Sequence, residues 1–204
     1  MSTKITLIDA GTGNLRSVHK ALQSVGADVA VTADPQVVQQ GGRLVLPGVG
    51  AFGDFMRGLQ ARGLAEPLLS VVRRGDPLLG ICVGMQALFE VGEELGEQPG
   101  LGLLPGRVVR FPDQEGLKVP HTGWNRLWSR RSEPLLEALP EGAYAYFNHS
   151  FYCRVDEPQD VSAETEYGLT FTSMVRRSNL FGVQFHPEKS QQTGLQILRN
   201  FILL

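Results

Sequence analysis

Pro77-Leu78-Leu79-Gly80-Ile81-Cys82-Val83-Gly84-Met85-Gln86-Ala87-Leu88-Phe89-Glu90 is the stretch that decides the fold. An apolar run enters Gly80-Ile81-Cys82-Val83-Gly84, and a helix-like stretch over residues 85–90 leaves it. A thiol between two glycines at a strand-to-helix turn has the pattern of a nucleophile elbow. The glycines let the backbone bend tightly and let a substrate come close. The sulfur is then held at a helix N-terminus, where backbone N–H groups and the helix dipole favour a thiolate. A lone cysteine is more often a buried structural residue. Here the flanking glycines and the position favour the nucleophile. The serine form of the elbow belongs to many hydrolases, so the elbow alone names no substrate.

Upstream, short non-alternating apolar runs at residues 5–8, 29–31, 44–46 and 78–81 read as strands. Helical spacing separates them over residues 14–24, 52–61 and 66–73, with Asn14 as the expected cap of the first helix. Strands of this kind, separated by helices, form a parallel sheet covered on both faces. After Glu94 the texture changes. Residues 96–106 read as a loop, and residues 107–111, 117–119 and 144–147 as extended pieces. Residues 171–176 and 180–185 read as a hairpin, and residues 194–202 as a last helix. The expectation is a single α/β domain over residues 1–204. It has a largely parallel central sheet flanked by helices and an antiparallel extension in its second half.

The chain has 204 residues and a net charge of −2, which gives no electrostatic footprint for nucleic acid or an anionic membrane surface. Its first ten residues lack a signal-peptide pattern, and no apolar run approaches the roughly 20 residues of a membrane helix. Two cysteines make no disulfide framework, so the expected setting is a reducing cytoplasm, with Cys153 a small buried hydrophobe in a strand. Asp9-Ala10-Gly11-Thr12-Gly13-Asn14 is half of a dinucleotide fingerprint, but Arg16 stands where the third glycine belongs. There is neither a Walker loop nor a Cys/His cluster with zinc spacing, so no cofactor and no metal are expected.

Far downstream, Phe185-His186-Pro187-Glu188 places a base and a carboxylate two residues apart. In a strand such residues share a face. His186 can reach the thiol while Glu188 holds the other ring nitrogen, completing a Cys-His-Glu triad. Pro47-Gly48-Val49-Gly50 ends the third strand, at the sheet edge where α/β proteins bind ligands. Its N–H groups suit an oxyanion hole shared with the Val83 N–H, and a plain structural turn fits the composition equally well.

The order of Pro47-Gly48-Val49-Gly50, Gly80 through Gln86 and His186-Pro187-Glu188 resembles the class I, triad-type glutamine amidotransferases, whose fold is flavodoxin-like. Residues 8–15, 47–54, Pro120-His121-Thr122-Gly123-Trp124-Asn125 and Tyr146-Phe147-Asn148-His149-Ser150 are similar to the glutaminase subunits of imidazole glycerol phosphate synthases. The resemblance covers nearly the whole chain. It departs at Ala10, where tyrosine is usual, and at Asn148, where an apolar residue is common. It implies a catalytic set of Cys82, His186 and Glu188, with Val49, Gly50 and Val83 lining the oxyanion hole. Gln86, Glu94, His149, Ser150 and Phe151 would hold glutamine.

The resemblance further implies a partner, a (βα)8-barrel cyclase. That partner receives the ammonia and makes imidazole glycerol phosphate and an aminoimidazole carboxamide ribotide in histidine biosynthesis. Asn14, His121, Trp124 and Lys189 match interface positions. By place alone Trp124 suits a core residue as well as an anchor. In the family the loop at residues 48–50 needs a peptide reorientation before its N–H faces the site. Three alternatives remain: a glutaminase serving another synthase, a free-standing cysteine hydrolase of γ-glutamyl compounds, and a non-catalytic binding module.

Overall fold

Four apolar runs build the parallel half of the main sheet. In the computed structural model, which describes residues 2–204, β1 (Thr3–Ile8), β2 (Ala27–Thr32), β3 (Arg43–Gly48) and β4 (Leu78–Cys82) lie in the order β2-β1-β3-β4, all parallel. Every residue of β4 is buried, as is β3 after Arg43. A strand covered on both faces has no polar side to alternate with, hence the continuous apolar runs. The crossovers carry α1 (Leu15–Ser24), α2 (Pro35–Gln40), α3 (Phe52–Ala61) and α4 (Ala65–Arg74). Helix α2 adds to the expected pattern. Asp34 accepts from the Gln36 N–H at 2.9 Å and Pro35 occupies the first helical position, two start signals strong enough for one short helix.

After the elbow the chain departs from expectation. Of residues 85–90 only Met85 and Gln86 are helical. Helix α5 (Val83–Gln86) is a single turn and β5 (Phe89–Gly92) follows at once. The cause is the returning segment. The N–H groups of Gly100, Leu101, Gly102 and Leu103 donate to the carbonyls of Glu90, Ala87, Phe89 and Leu88 at 2.8–3.1 Å. Those carbonyls are thereby tied to the returning backbone. The stretch 96–106 is thus not all loop, since it contains β6 (Gln98–Pro99) and the start of β7 (Leu104–Arg110).

Residues 117–119 are not a strand. The extended segment lies just beyond them as β8 (His121–Arg126), followed by β9 (Trp128–Ser129). Then come β10 (Tyr144–His149), β11 (Phe151–Val155), β12 (Val161–Glu166), β13 (Thr170–Arg177), β14 (Leu180–Val183) and α6 (Gln191–Leu203). The expected hairpin is β13–β14, with Arg177 opposite Leu180. Strand β14 pairs parallel with β4, and the sheet continues β14-β13-β11-β7-β5-β6, with β12 and β9 branching from β13. Strands β8 and β10 form a separate antiparallel pair. Cys153 is buried in β11, as expected.

Helix α1 packs beside α6, and α2 beside α4. Among the described residues no helix is long and apolar enough to cross a membrane. For function, the decisive consequence is directional. Strands β1, β3, β4 and β14 all point the same way, so their carboxyl ends deliver residues 9–14, 48–51, Cys82 and 184–188 to one edge of the sheet.

Candidate active site

The elbow is built by close approach and by one strained residue. Cys82 itself carries the left-handed backbone, with φ 55° and ψ −112°. For a side chain this conformation is costly and persists only when its surroundings fix it. The two glycines do not carry positive φ; they make room. A Cβ on Gly80 would lie 2.6 Å from the Gly84 carbonyl oxygen, and one on Gly84 only 1.9 Å from the Leu46 carbonyl oxygen. The elbow therefore rests directly on the β3 backbone.

His186 enters just past β14. Its backbone N–H donates to the Tyr146 carbonyl at 2.9 Å, and its own carbonyl accepts from the Ser190 hydroxyl at 2.7 Å. Its Nδ1 lies 3.0 Å from Glu188 Oε1, and the residue lines the same cavity as Cys82. Burial by itself lowers the imidazole, but the hydrogen bonds to Cys82 and Glu188 and the charges of both outweigh it and push it up to about 10. An imidazolium held beside sulfur is the arrangement that ionises a thiol. The Asn14 side chain does not cap α1 as expected. It donates instead to Glu188 Oε1 at 3.4 Å, so the carboxylate oxygen that steers His186 is shared with the β1 loop.

A cavity of about 280 Å³ opens over the sulfur. Its lining includes Val49, Gly50, Cys82, Val83, Gln86, Glu94, His149, Ser150, Phe151, His186 and Lys189. The sequence-proposed nucleophile, base, oxyanion and substrate residues thus share one wall-to-wall space, with Glu188 behind His186. Pro120 and Asn148 also line it, so the Asn148 departure touches the pocket. A larger hollow of about 540 Å³ lies elsewhere, around Arg131, Glu133 and Arg176, and holds no nucleophile paired with a base. Chemistry, not volume, selects the smaller one.

Glu94 is not merely a solvated helix-end charge. Its Oε2 accepts from the Phe52 N–H at 2.7 Å at the start of α3 while the residue faces the cavity. Gln86 donates through Nε2 to the Phe151 carbonyl and to Gln184 Oε1, both at 3.0 Å. Only its oxygen remains to meet a ligand, so it acts there as an acceptor.

His121 is buried at 2% exposure and does not offer its ring to a docked partner. It is stacked between Phe147 and Tyr167, with centroids 4.9 and 3.9 Å away. Its Nδ1 lies 3.1 Å from His149 Nε2, and His149 Nδ1 lies 2.8 Å from the Phe151 carbonyl oxygen. Burial holds both rings neutral, His149 down to about 3 and His121 to about 4. Trp124, by contrast, is 45% exposed and is not a core residue. It meets Tyr146 edge to face, and the Lys189 ammonium lies 5.7 Å over that same Tyr146 ring. Asn14, His121 and Trp124 stand outside the cavity lining.

Sequence reasoning passed over Gln184. It is fully buried, and its Nε2 lies 3.7 Å from Cys82 Sγ. The signal was present, because polar residues recur at 184, 186 and 188 after the apolar run of β14.

With this geometry in hand, the comparisons with known proteins are specific. The family model of the class-I glutamine amidotransferases matches residues 6–204. The imidazole glycerol phosphate synthase subunit HisH of Geobacter metallireducens is 50% identical over 204 residues, covering 98% of this chain and 97% of that protein. The HisH subunit of Syntrophotalea carbinolica is 51% identical over 202 residues, covering 97% and 98%. A solved structure described as a glutamine amidotransferase aligns with a TM-score of 0.76 at 21% identity, covering 98% of this chain and 97% of that one. At that identity the likeness bears on the fold alone.

Proposed function

This chain belongs to the class I glutamine amidotransferases, in the branch of imidazole glycerol phosphate synthase HisH subunits, and we propose that it hydrolyses glutamine through Cys82, His186 and Glu188. The observation that carries the reading is the His186 ring, held by Glu188 at 3.0 Å and lining the same cavity as the Cys82 sulfur. Glutamine occupies the cavity with its α-ammonium towards Glu94 and the Gln86 oxygen. The Cys82 sulfur attacks the side-chain amide carbon. The oxyanion that forms is met by the Val83 N–H and by the loop at Val49 and Gly50. His186 holds the thiol proton and passes it to the departing ammonia, leaving a γ-glutamyl thioester. Water then releases glutamate, with His186 as base. Glu188 fixes the tautomer and stays ionised throughout.

The ammonia is consumed by a (βα)8-barrel cyclase docked over the cavity, yielding imidazole glycerol phosphate and the aminoimidazole carboxamide ribotide of histidine biosynthesis. Support comes from the exposed Trp124 beside Tyr146 and Lys189, an aromatic and cationic patch next to the cavity mouth. Asn14 adds a second route. A partner that engages its side chain acts one hydrogen bond away from Glu188. His121, being buried, supports this face from beneath. A missing oxyanion donor costs about 2.7–4 kcal/mol, so a loop that supplies one only when the partner is bound is a sufficient switch.

Glutaminase assays with and without the cyclase and its nucleotide ligand test the reading. We expect weak turnover alone and stimulation of about 100-fold or more. Full turnover by the isolated chain, unchanged by the cyclase, would point instead to a free-standing γ-glutamyl hydrolase.

A further inference from the structure

The elbow helix α5 is one turn long. Peptide dipoles add along a helix, so a single turn supplies little of the field that a full helix would bring to the sulfur. The thiolate must therefore be met by discrete donors. We propose that Gln184 is one of them, a residue that donates an amide N–H to Cys82 Sγ and steadies the sulfur each time it carries charge. The proposal rests on the reading of Cys82 as nucleophile and goes beyond the triad.

Three features carry it. First, Gln184 Nε2 lies 3.7 Å from Sγ, within hydrogen-bond reach of sulfur, and the side chain is fully buried. Second, the amide cannot be turned round. Its Oε1 accepts from Gln86 Nε2 at 3.0 Å, so a flip would set two donor groups face to face and place a carbonyl oxygen against the sulfur. Third, Gln86 is itself fixed, because its Nε2 also donates to the Phe151 carbonyl at 3.0 Å. That carbonyl takes its second hydrogen bond from His149, whose Nε2 accepts from His121, whose Nε2 faces Asn125 Nδ2 at 3.4 Å. The aim of the Gln184 N–H is thus set by Gln86, which is anchored on the Phe151 carbonyl, the acceptor on which the donor chain from Asn125 through His121 and His149 also ends.

An uncharged amide serves both half-reactions without changing its protonation. When water attacks the γ-glutamyl thioester, His186 accepts the proton from water and the C–S bond breaks with its electron pair going to sulfur. His186 begins that step neutral and ends it as an imidazolium. The Gln184 N–H is a donor throughout, so the leaving thiolate is met by a fixed partner. Loss of Gln184 therefore slows release of glutamate at least as much as formation of the thioester.

The test is the pH–rate profile of Cys82 alkylation by iodoacetamide in the full-length chain, with Cys82→Ser as the control for Cys153. In Gln184→Met we expect alkylation at pH 7 to slow about tenfold and the profile to shift up by about one pH unit. The covalent intermediate should accumulate during glutamine turnover. A folded Gln184→Met protein whose profile overlays the wild type overturns the proposal. Should that variant not fold, the wild type decides by NMR of 15N-glutamine-labelled protein. The Gln184 side-chain amide proton should move as Cys82 ionises and again on its alkylation, and a resonance that ignores both overturns it. The reading of Cys82 as nucleophile is separately tested, since it falls only if the wild-type sulfur fails to react with a glutamine analogue.

Discussion

Gly84→Ala is the substitution that tests the elbow most sharply. A Cβ at this position lies 1.9 Å from the Leu46 carbonyl oxygen and 2.9 Å from its carbon, where ordinary contact begins at 3.4 Å. The gap to be opened is therefore about 1.5 Å, and the opposing atom is backbone in a strand paired on both sides with β1 and β4. Side chains cannot swing away to relieve it. Overpacking costs about 1–3 kcal/mol where repacking is possible, so about 3 kcal/mol is expected here. For a chain of this size that lowers the melting temperature by roughly 6–12 °C. Relief by moving α5 displaces Cys82 and the Val83 N–H together, and a displacement of about 1 Å costs on the order of 100-fold in rate. The assay pairs thermal unfolding with glutamine hydrolysis in the presence of the cyclase. Gly182→Ala is the control, because its Cβ meets only Met85 and Val175 side-chain atoms, at 2.7 and 2.8 Å. We expect less than half the loss there. A Gly84→Ala protein as stable and as active as Gly182→Ala would refute the close-approach argument.

Glu188→Gln keeps the shape but removes the negative charge and replaces one carboxylate oxygen with a donor, so the His186 tautomer is no longer fixed; we expect kcat to fall on the order of 1000-fold with KM little changed, read from steady-state glutaminase kinetics. Acid should weaken the fold through the two neutral histidines. Their folded values, about 3 for His149 and about 4 for His121, lie below the usual 6.5. The folded state therefore binds fewer protons, and the stability they contribute is full above about pH 6.5 and drains away as pH falls. His149 alone accounts for about 2 kcal/mol by pH 5. His186 has the opposite sign. Raised to about 10, its contribution is complete below pH 6.5 and is lost as pH climbs towards 10. Urea unfolding at pH 5, 6.5 and 8.5 should thus show the histidine share peaking near 6.5, and stability still rising from 6.5 down to 5 would count against the buried neutral pair.

The parallel half of the fold was legible because β3 and β4 are covered on both faces, and such strands write themselves as continuous apolar runs. The elbow, the turn at residues 48–50 that lines the cavity and the His186–Glu188 pair were legible for a related reason: each needs particular residue types at fixed spacing. What failed was set by long-range contacts. Residues 85–90 carry a helical pattern, yet carbonyls within that stretch are taken by a backbone segment ten or more residues further along the chain. Strand β8 contains His121, Gly123 and Asn125, poor strand formers, and exists because β10 pairs with all six of its residues. Asn14 carries a good capping side chain, but Glu188, 174 positions on, competes for it. Gln184 was marked only by the alternation of polar residues at 184, 186 and 188, which places it on the face of His186 and Glu188 but does not name the sulfur it meets.

Mass spectrometry of the chain after exposure to a diazoketone analogue of glutamine tests the central claim most directly. The account predicts one adduct, on Cys82, blocked by excess glutamine, absent in Cys82→Ser and strongly slowed in His186→Ala. No adduct, or an adduct on Cys153 with Cys82 untouched, would contradict it.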